Sequence, residues 1–244
     1  MSKKDHNRRL SVRERRRKQL QQQRLTAILI VVGIALILIA IIALPSIVNA
    51  SNPVVDLTPI QSRTIPNANG AAMGNPDAPV KIIEYSDFQC PACQVFYIKV
   101  EPQLIEKYVT TGKVYFEYRS MGLYIGQESV DATMAAYCAG DQNKFWEYHD
   151  ILFTNQTGEN VGAFSPRRLQ AFGETIGLDM KAFKDCLNSR KYQERINQDQ
   201  TEGEKTGVKV TPSFVINGKI VGGALPFEEF SKEIEAALQA AGAK

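Results

Sequence analysis

Histidine is nearly missing from this chain: its 244 residues include two, His6 and His149, with four cysteines and one tryptophan. So few soft ligands leave little room for zinc, which takes four such groups from closely spaced pairs. Cys90 and Cys93 form one close pair, but Cys138 and Cys186 are 48 apart and no histidine pair accompanies them. No metal or organic cofactor is expected. Cysteine is also too sparse for a disulfide-dense miniature scaffold, and 17 Gly and 11 Pro are too few for a collagen-like or low-complexity chain. A large charge of one sign is missing as well, since the formal net charge is only +3. What remains, 44% hydrophobic and 23% charged, is the composition of a folded protein of one or two domains.

The small net charge is an average over unlike parts. Residues 1–24 hold ten Lys/Arg and two acids, a net of +8; residues 25–244 hold nineteen basic and twenty-four acidic residues, a net of −5. Between them, Leu25 to Leu44 is a run of twenty residues without a charge. As a helix it spans about 30 Å, the thickness of a bilayer's hydrocarbon core. Arg13, Arg15, Arg16, Arg17, Lys18 and Arg24 precede it and no such cluster follows. The positive-inside rule therefore predicts a single-pass membrane anchor, N-terminus cytoplasmic and residues 45–244 outside. A basic arm can bind nucleic acid, but beside an apolar run it reads as a topology signal, and no nucleic-acid partner is expected. Val48-Asn49-Ala50 resembles a signal-peptide cleavage site. The apolar run exceeds the roughly 7–15 residues of a signal-peptide core, however, so an uncleaved anchor is the expectation.

Residues 45–78 are rich in Pro, Asn, Ser and Gly without clear periodicity, which predicts a linker. Residues 79–244 then form one domain. Val80 to Tyr85 reads as a buried strand, and a helix begins near Cys90-Pro91 and runs towards Thr111-Gly112 with a kink at Pro102. Val114, Phe116 and Tyr118 alternate with Tyr115, Glu117 and Arg119 in a second strand. A helical insertion over about 126–206 follows, broken around Gly158–Gly162 and Gly177. Ser213–Ile216 and Lys219–Val221 flank Asn217-Gly218, a hairpin signal. Phe227, Phe230, Ile234 and Leu238 mark an amphipathic closing helix. This order predicts an α/β fold with a central mixed sheet.

The chemistry lies in Cys90-Pro91-Ala92-Cys93. Two cysteines three apart serve zinc, redox exchange or packing, and a position directly after a buried strand and opening a helix favours redox exchange. Unpaired N–H groups and the helix dipole stabilise a thiolate at Cys90, and Pro91 fits the first turn, where no N–H is needed. Cys90 is then the attacking or attacked sulfur and Cys93, one turn further in, resolves the mixed disulfide. Glu84 lies six residues before Cys90 on the strand. Facing inward it is a buried acid suited to moving the Cys93 proton; facing outward it is a sheet-edge carboxylate.

Glu84-Tyr85-Ser86-Asp87-Phe88-Gln89-Cys90-Pro91-Ala92-Cys93, together with Val210-Thr211-Pro212-Ser213-Phe214, resembles the DsbA-like thiol–disulfide oxidoreductases. The resemblance covers roughly residues 79–240 and implies a thioredoxin-like fold carrying an inserted helical block. It implies that Pro212 is a cis-proline beside the active disulfide, that Thr211, Pro91 and Ala92 meet the substrate, and that Glu84 is the family's buried acid. Some members have a second disulfide in the helical block; with Cys90 and Cys93 as the redox pair, that disulfide would be Cys138–Cys186, the alternative being two free buried thiols. The implied activity is an extracytoplasmic enzyme that introduces disulfides into exported cysteine-containing proteins and is reoxidised by a quinone-linked membrane partner. Ala92 stands where the best-known member has histidine, which implies a weaker oxidant. A reductase or isomerase of the same fold, or a binding or chaperone module with incidental cysteines, are the alternatives. His149, in the aromatic run Phe145–Asp150, is expected to pack rather than to catalyse, and the sequon Asn155-Gln156-Thr157 carries no weight beside a bacterial family.

Overall fold

The computed structural model describes residues 29–37, 39 and 57–243. The chain divides into two units, Met1–Pro53 and Val54–Lys244. In the first, residues 29–37 and 39 are helical. The basic tail, the rest of the Leu25–Leu44 run and the Ala50 cleavage position lie outside the described residues. Among the described residues no helix is long and apolar enough to cross a membrane.

The second unit is built on a five-stranded sheet in the order β1-β3-β2-β4-β5. Its strands are β1 (Ala72–Gly74), β2 (Val80–Ser86), β3 (Val114–Ser120), β4 (Ser213–Ile216) and β5 (Lys219–Gly222). β2 and β3 run parallel, while the β1–β3, β2–β4 and β4–β5 pairs are antiparallel. β3 buries Val114, Phe116, Tyr118 and Ser120 and leaves the residues between them half-buried, as its alternation predicts. Asn217 and Gly218 both take positive φ, 44° and 90°, the geometry a two-residue hairpin turn demands.

Helix α1 (Pro91–Lys99) starts with Pro91 in its first turn and is capped by Cys90. It ends earlier than the sequence suggests. The backbone breaks at Val100, a four-residue helical turn Glu101–Leu104 and a π turn Ile105–Val109 follow, and Pro102 occupies the first turn after the break. Pro102 has no N–H to give the carbonyl of Ile98, so a straight helix through this point is excluded. Helices α2 (Gln127–Gly140), α3 (Phe145–Thr154), α4 (Pro166–Thr175), α5 (Met180–Asn188) and α6 (Gln193–Thr206) form the block between β3 and β4, and α7 (Phe227–Ala240) closes the chain. Phe96 of α1, Phe214 of β4 and Phe230 of α7 meet with centroids 4.5 to 5.5 Å apart, cementing α1 and α7 to one face of the sheet. On the other face Tyr85 and Met121 pack so closely on α6 that a Cβ at Gly203 would lie 2.6 Å from the Met121 sulfur.

Residues 57–78 are not a free linker, and the folded unit starts well before residue 79. β1 pairs with the edge of β3, Ala72 opposite Glu117, and the Trp146 Nε1–H donates to the Ala72 carbonyl at 3.2 Å. Gly74 has φ 91° and lies so near the Val114 carbonyl that a Cβ would approach it to 2.5 Å. The segment docks through backbone pairing and through scattered apolar side chains, Leu57, Ile60, Ile65, Ala71 and Met73, which reach the core without a regular period.

Cys138 of α2 and Cys186 of α5 are joined in a disulfide, Cα atoms 5.9 Å apart. The bridge closes a 48-residue separation. Loop closure on that scale is worth up to about 4 kcal/mol in the chain-entropy picture. Cys138→Ser is therefore expected to lower the melting temperature, by roughly 2–4 °C per kcal/mol lost in a domain of this size, read by calorimetry.

Candidate active site

The parallel pairing of β2 and β3 aims the end of β2 at the start of α1. Ile82 and Glu84 point to the α1 side of the sheet, while Ile83 and Tyr85 point to the other, by strand alternation. Glu84 is thus buried beneath the cysteines, opposite Tyr118 on β3 and Phe214 on β4. The inward orientation holds and the sheet-edge alternative does not.

Cys90 is 8% exposed and Cys93 wholly buried. The Cys90 thiol is held down at about 6, first because the Cys93 thiol donates to its sulfur. The hydroxyl of Thr211 and the free N–H groups of Cys93 and Ala92 add to this, and burial opposes it. Thr211 also offers its carbonyl, 3.4 Å from the Cys90 sulfur, to the protonated thiol. The Thr211–Pro212 peptide bond is cis. Pro91 is exposed and Ala92 half-buried beside Cys90. The structure thus brings Glu84, Cys90, Pro91, Ala92, Cys93, Thr211 and Pro212 into one place from two distant segments, 84–93 and 211–212.

The two sulfurs are pushed apart in acidity. Burial drives Cys93 well above an ordinary thiol, and the neighbouring Cys90 and Glu84 charges add to it. Burial likewise drives Glu84 well above the usual carboxylate range, followed by the charge of Glu101. One Glu84 oxygen, Oε2, has no hydrogen-bond partner. The Ser86 hydroxyl lies near enough to steady the charged forms of Glu84 and Cys93, though at no ordinary hydrogen-bond geometry. A thiol of lowered pKa that just reaches the surface, over a fully buried thiol and a buried acid, is the polarity that disulfide exchange requires.

Several contributors went unseen in the sequence. The segment leading into Cys90 is pinned by polar side chains: Asp87 Oδ1 accepts from the Gln89 N–H at 2.8 Å and from Ser129 Oγ at 2.6 Å. Gln89 donates to Ser129 and accepts from the Asn160 N–H, and Gln156 donates to the Phe88 carbonyl. His149 is a packing residue as expected, buried against Phe88, Tyr118 and Phe153, but its Nδ1 also lies 3.0 Å from Asp150. The sequon residue Asn155 is buried, its amide bonded to the Thr58 backbone and to the Ile151 carbonyl.

Among the described residues, Glu101, His149 and Asp150 form the group with the spacing of metal ligands, their donor atoms within 4.8 Å of one another. Arg63 already stands among them. Its guanidinium donates to Glu101 at 2.5 Å and to both Asp150 oxygens at 2.5 and 2.7 Å, supplying the positive charge that a cation would bring. The donor set does not call for a metal.

A family model described as Thioredoxin matches residues 67–236. A probable disulfide bond formation protein D of Bacillus cereus is 30% identical over 173 residues, 69% of this chain and 78% of the relative. The chain belongs to the DsbA-like thioredoxin-fold disulfide oxidoreductases. It is a protein dithiol–disulfide oxidoreductase. The α-DsbA1 structure from Wolbachia pipientis is 25% identical with a TM-score of 0.63, over 72% of this chain and 94% of that one. Oxidised BdbD from Bacillus subtilis shares the fold at 23% identity and a TM-score of 0.64, over 75% of this chain and all of the other.

Proposed function

We propose that this oxidoreductase is an extracytoplasmic oxidase, anchored by Leu25–Leu44 with residues 1–24 in the cytoplasm, that introduces disulfides into exported proteins of a bacterium. The charge step from +8 to −5 across an uncharged twenty-residue run supports the anchor. The observation that carries the catalytic reading is a thiol held at about 6 at a helix N-terminus, above a partner held well above the ordinary value.

The reaction starts from the Cys90–Cys93 disulfide. A substrate thiolate attacks the Cys90 sulfur, the Cys90–Cys93 bond breaks, and Cys93 leaves and takes a proton, with Glu84 as the nearby donor. The Thr211 backbone beside the cis bond pairs with the extended substrate, and Pro91 and Ala92 form the adjoining surface. A second substrate thiolate then attacks the substrate sulfur of the mixed disulfide and expels Cys90 as a stable thiolate. The substrate loses two electrons and the pair gains them. A quinone-linked membrane partner restores the disulfide.

Reduction potential decides between an oxidase and a reductase. A Cys90 value of about 6 falls between the nucleophilic cysteines of thioredoxin, about 7, and DsbA, about 3.5. The potential is accordingly expected between about −270 and −120 mV, the values of those two proteins. Ala92, in place of a histidine that would hold the thiolate further, places it short of the oxidising end. Equilibration with glutathione buffers measures it. A value at or below thioredoxin's would turn the assignment to a reductase.

A further inference from the structure

Asp87 has no part in the mechanism above, yet its backbone is bonded directly to that of the reactive cysteine. Its backbone carbonyl accepts the Cys90 N–H at 3.0 Å, closing a four-residue turn that brings the two Cα atoms within about 7 Å. The carboxylate is fully buried. Oδ1 is occupied by the Gln89 N–H and the Ser129 hydroxyl, whereas Oδ2 has no partner. Cys90, Glu159 and Tyr118 also feel its charge, and among the described residues its hydrogen-bond partners include no basic side chain. A buried acid three residues before the thiolate, tied to it through the backbone and with one oxygen unsatisfied, opposes the charge that the reaction forms.

We propose that Asp87 is a positioning residue that restrains the exchange reaction: its buried charge weakens the Cys90 thiolate and lowers the oxidising power of the pair. This rests on the reading of Cys90 as the reactive sulfur. The two tasks of Asp87 are separable. Its acceptor role, tying the segment before Cys90 to α2 through Ser129, needs an oxygen but no charge. Its electrostatic role needs the charge. Burial holds Asp87 up at about 6, against the pull of its two hydrogen bonds, so it and Cys90 change charge over the same pH range and each hinders the other.

Asp87→Asn keeps the acceptor and removes the charge. In the reduced full chain in detergent, thiolate absorbance should show the Cys90 midpoint falling below about 6, by about one pH unit, as expected for loss of a nearby like charge. Near pH 7 that stabilises the dithiol about tenfold, so the reduction potential rises by about 30 mV. Linkage demands a reciprocal effect in the unaltered protein: the Asp87 carboxyl, followed by carbon-13 NMR, titrates at higher pH in the dithiol than in the disulfide form. An unchanged Cys90 midpoint in a folded Asp87→Asn chain overturns the proposal. Equal Asp87 midpoints in the two redox forms do so as well, and that measurement decides the matter if the variant does not fold. If instead the low-pH thiolate signal survives Cys90→Ser, the assignment of Cys90 itself is wrong and the proposal falls with it.

Discussion

Cys93→Ala is expected to stop turnover at the mixed disulfide, and Cys90→Ala to reduce exchange to background. With Cys93 gone, a Cys90-linked adduct with a substrate or a small disulfide has no internal thiol to resolve it. It should accumulate to stoichiometry and be visible by non-reducing electrophoresis or mass. With Cys90 gone, the remaining thiol is fully buried and held well above an ordinary value, so it neither meets a partner nor ionises near neutral pH. Adduct formation by Cys90 should fall as pH drops through about 6, because only the thiolate attacks. A Cys93→Ala chain that turned over normally would show that the pair does not act as a unit.

Magnitudes show what the depressed Cys90 value achieves. At pH 7 a thiol with a midpoint near 6 is about nine-tenths ionised, against about 1% for one at 9, a gain near ninetyfold. Intrinsic nucleophilicity falls with basicity at a Brønsted slope of about 0.4–0.5, so a shift of three units costs roughly fifteenfold to thirtyfold. The net gain as an attacking group is only a few-fold. The larger benefit is as a leaving group and in the stability of the dithiol state, both of which serve an oxidase. Cys93 is the converse: buried and protonated, it needs a base, and Glu84→Gln should slow the resolving step more than adduct formation.

The parts of this fold written in local pattern were readable. β3 alternates, the hairpin turns on Asn217-Gly218, and α7 repeats its apolar residues at helical spacing, so each announces itself within a dozen residues. The cysteine pair was equally local, because Pro91 and the preceding strand fix its place at a helix start. β1 was missed since three residues, Ala-Met-Gly, carry no period and are held by Gly74 and a tryptophan from α3. The kink expected at Pro102 is present, two residues earlier at Val100, because a proline constrains the turn before it. Asp87 was visible within the motif, but neither its burial nor its partner Ser129, 42 residues along the chain, was. Arg63 left no signal at all, since its partners lie 38 and 87 residues away.

Arg63→Met should be the most damaging single change outside the cysteines. The guanidinium side chain is 24% exposed, while the Glu101 and Asp150 side chains it joins are 1% and 4% exposed. Removing it leaves two carboxylates in a site beside Tyr97, with no permanent positive charge and only the His149 imidazole, 3.0 Å from Asp150 and 3.7 Å from Glu101, next to them. Breaking a buried pair by deleting one partner typically costs about 3–5 kcal/mol. For a domain of this size that is a fall of roughly 6–20 °C in melting temperature, measurable by calorimetry. Arg63→Lys retains the charge but loses the planar fork that reaches Glu101 and both oxygens of Asp150, so it should fall between the two. The decisive comparison adds Glu101→Gln and Asp150→Asn to Arg63→Met. If uncompensated charge is the cause, neutralising both acids recovers much of the loss. If the triple variant is no more stable than Arg63→Met alone, the arginine acts through packing of residues 57–66 on the domain rather than through charge.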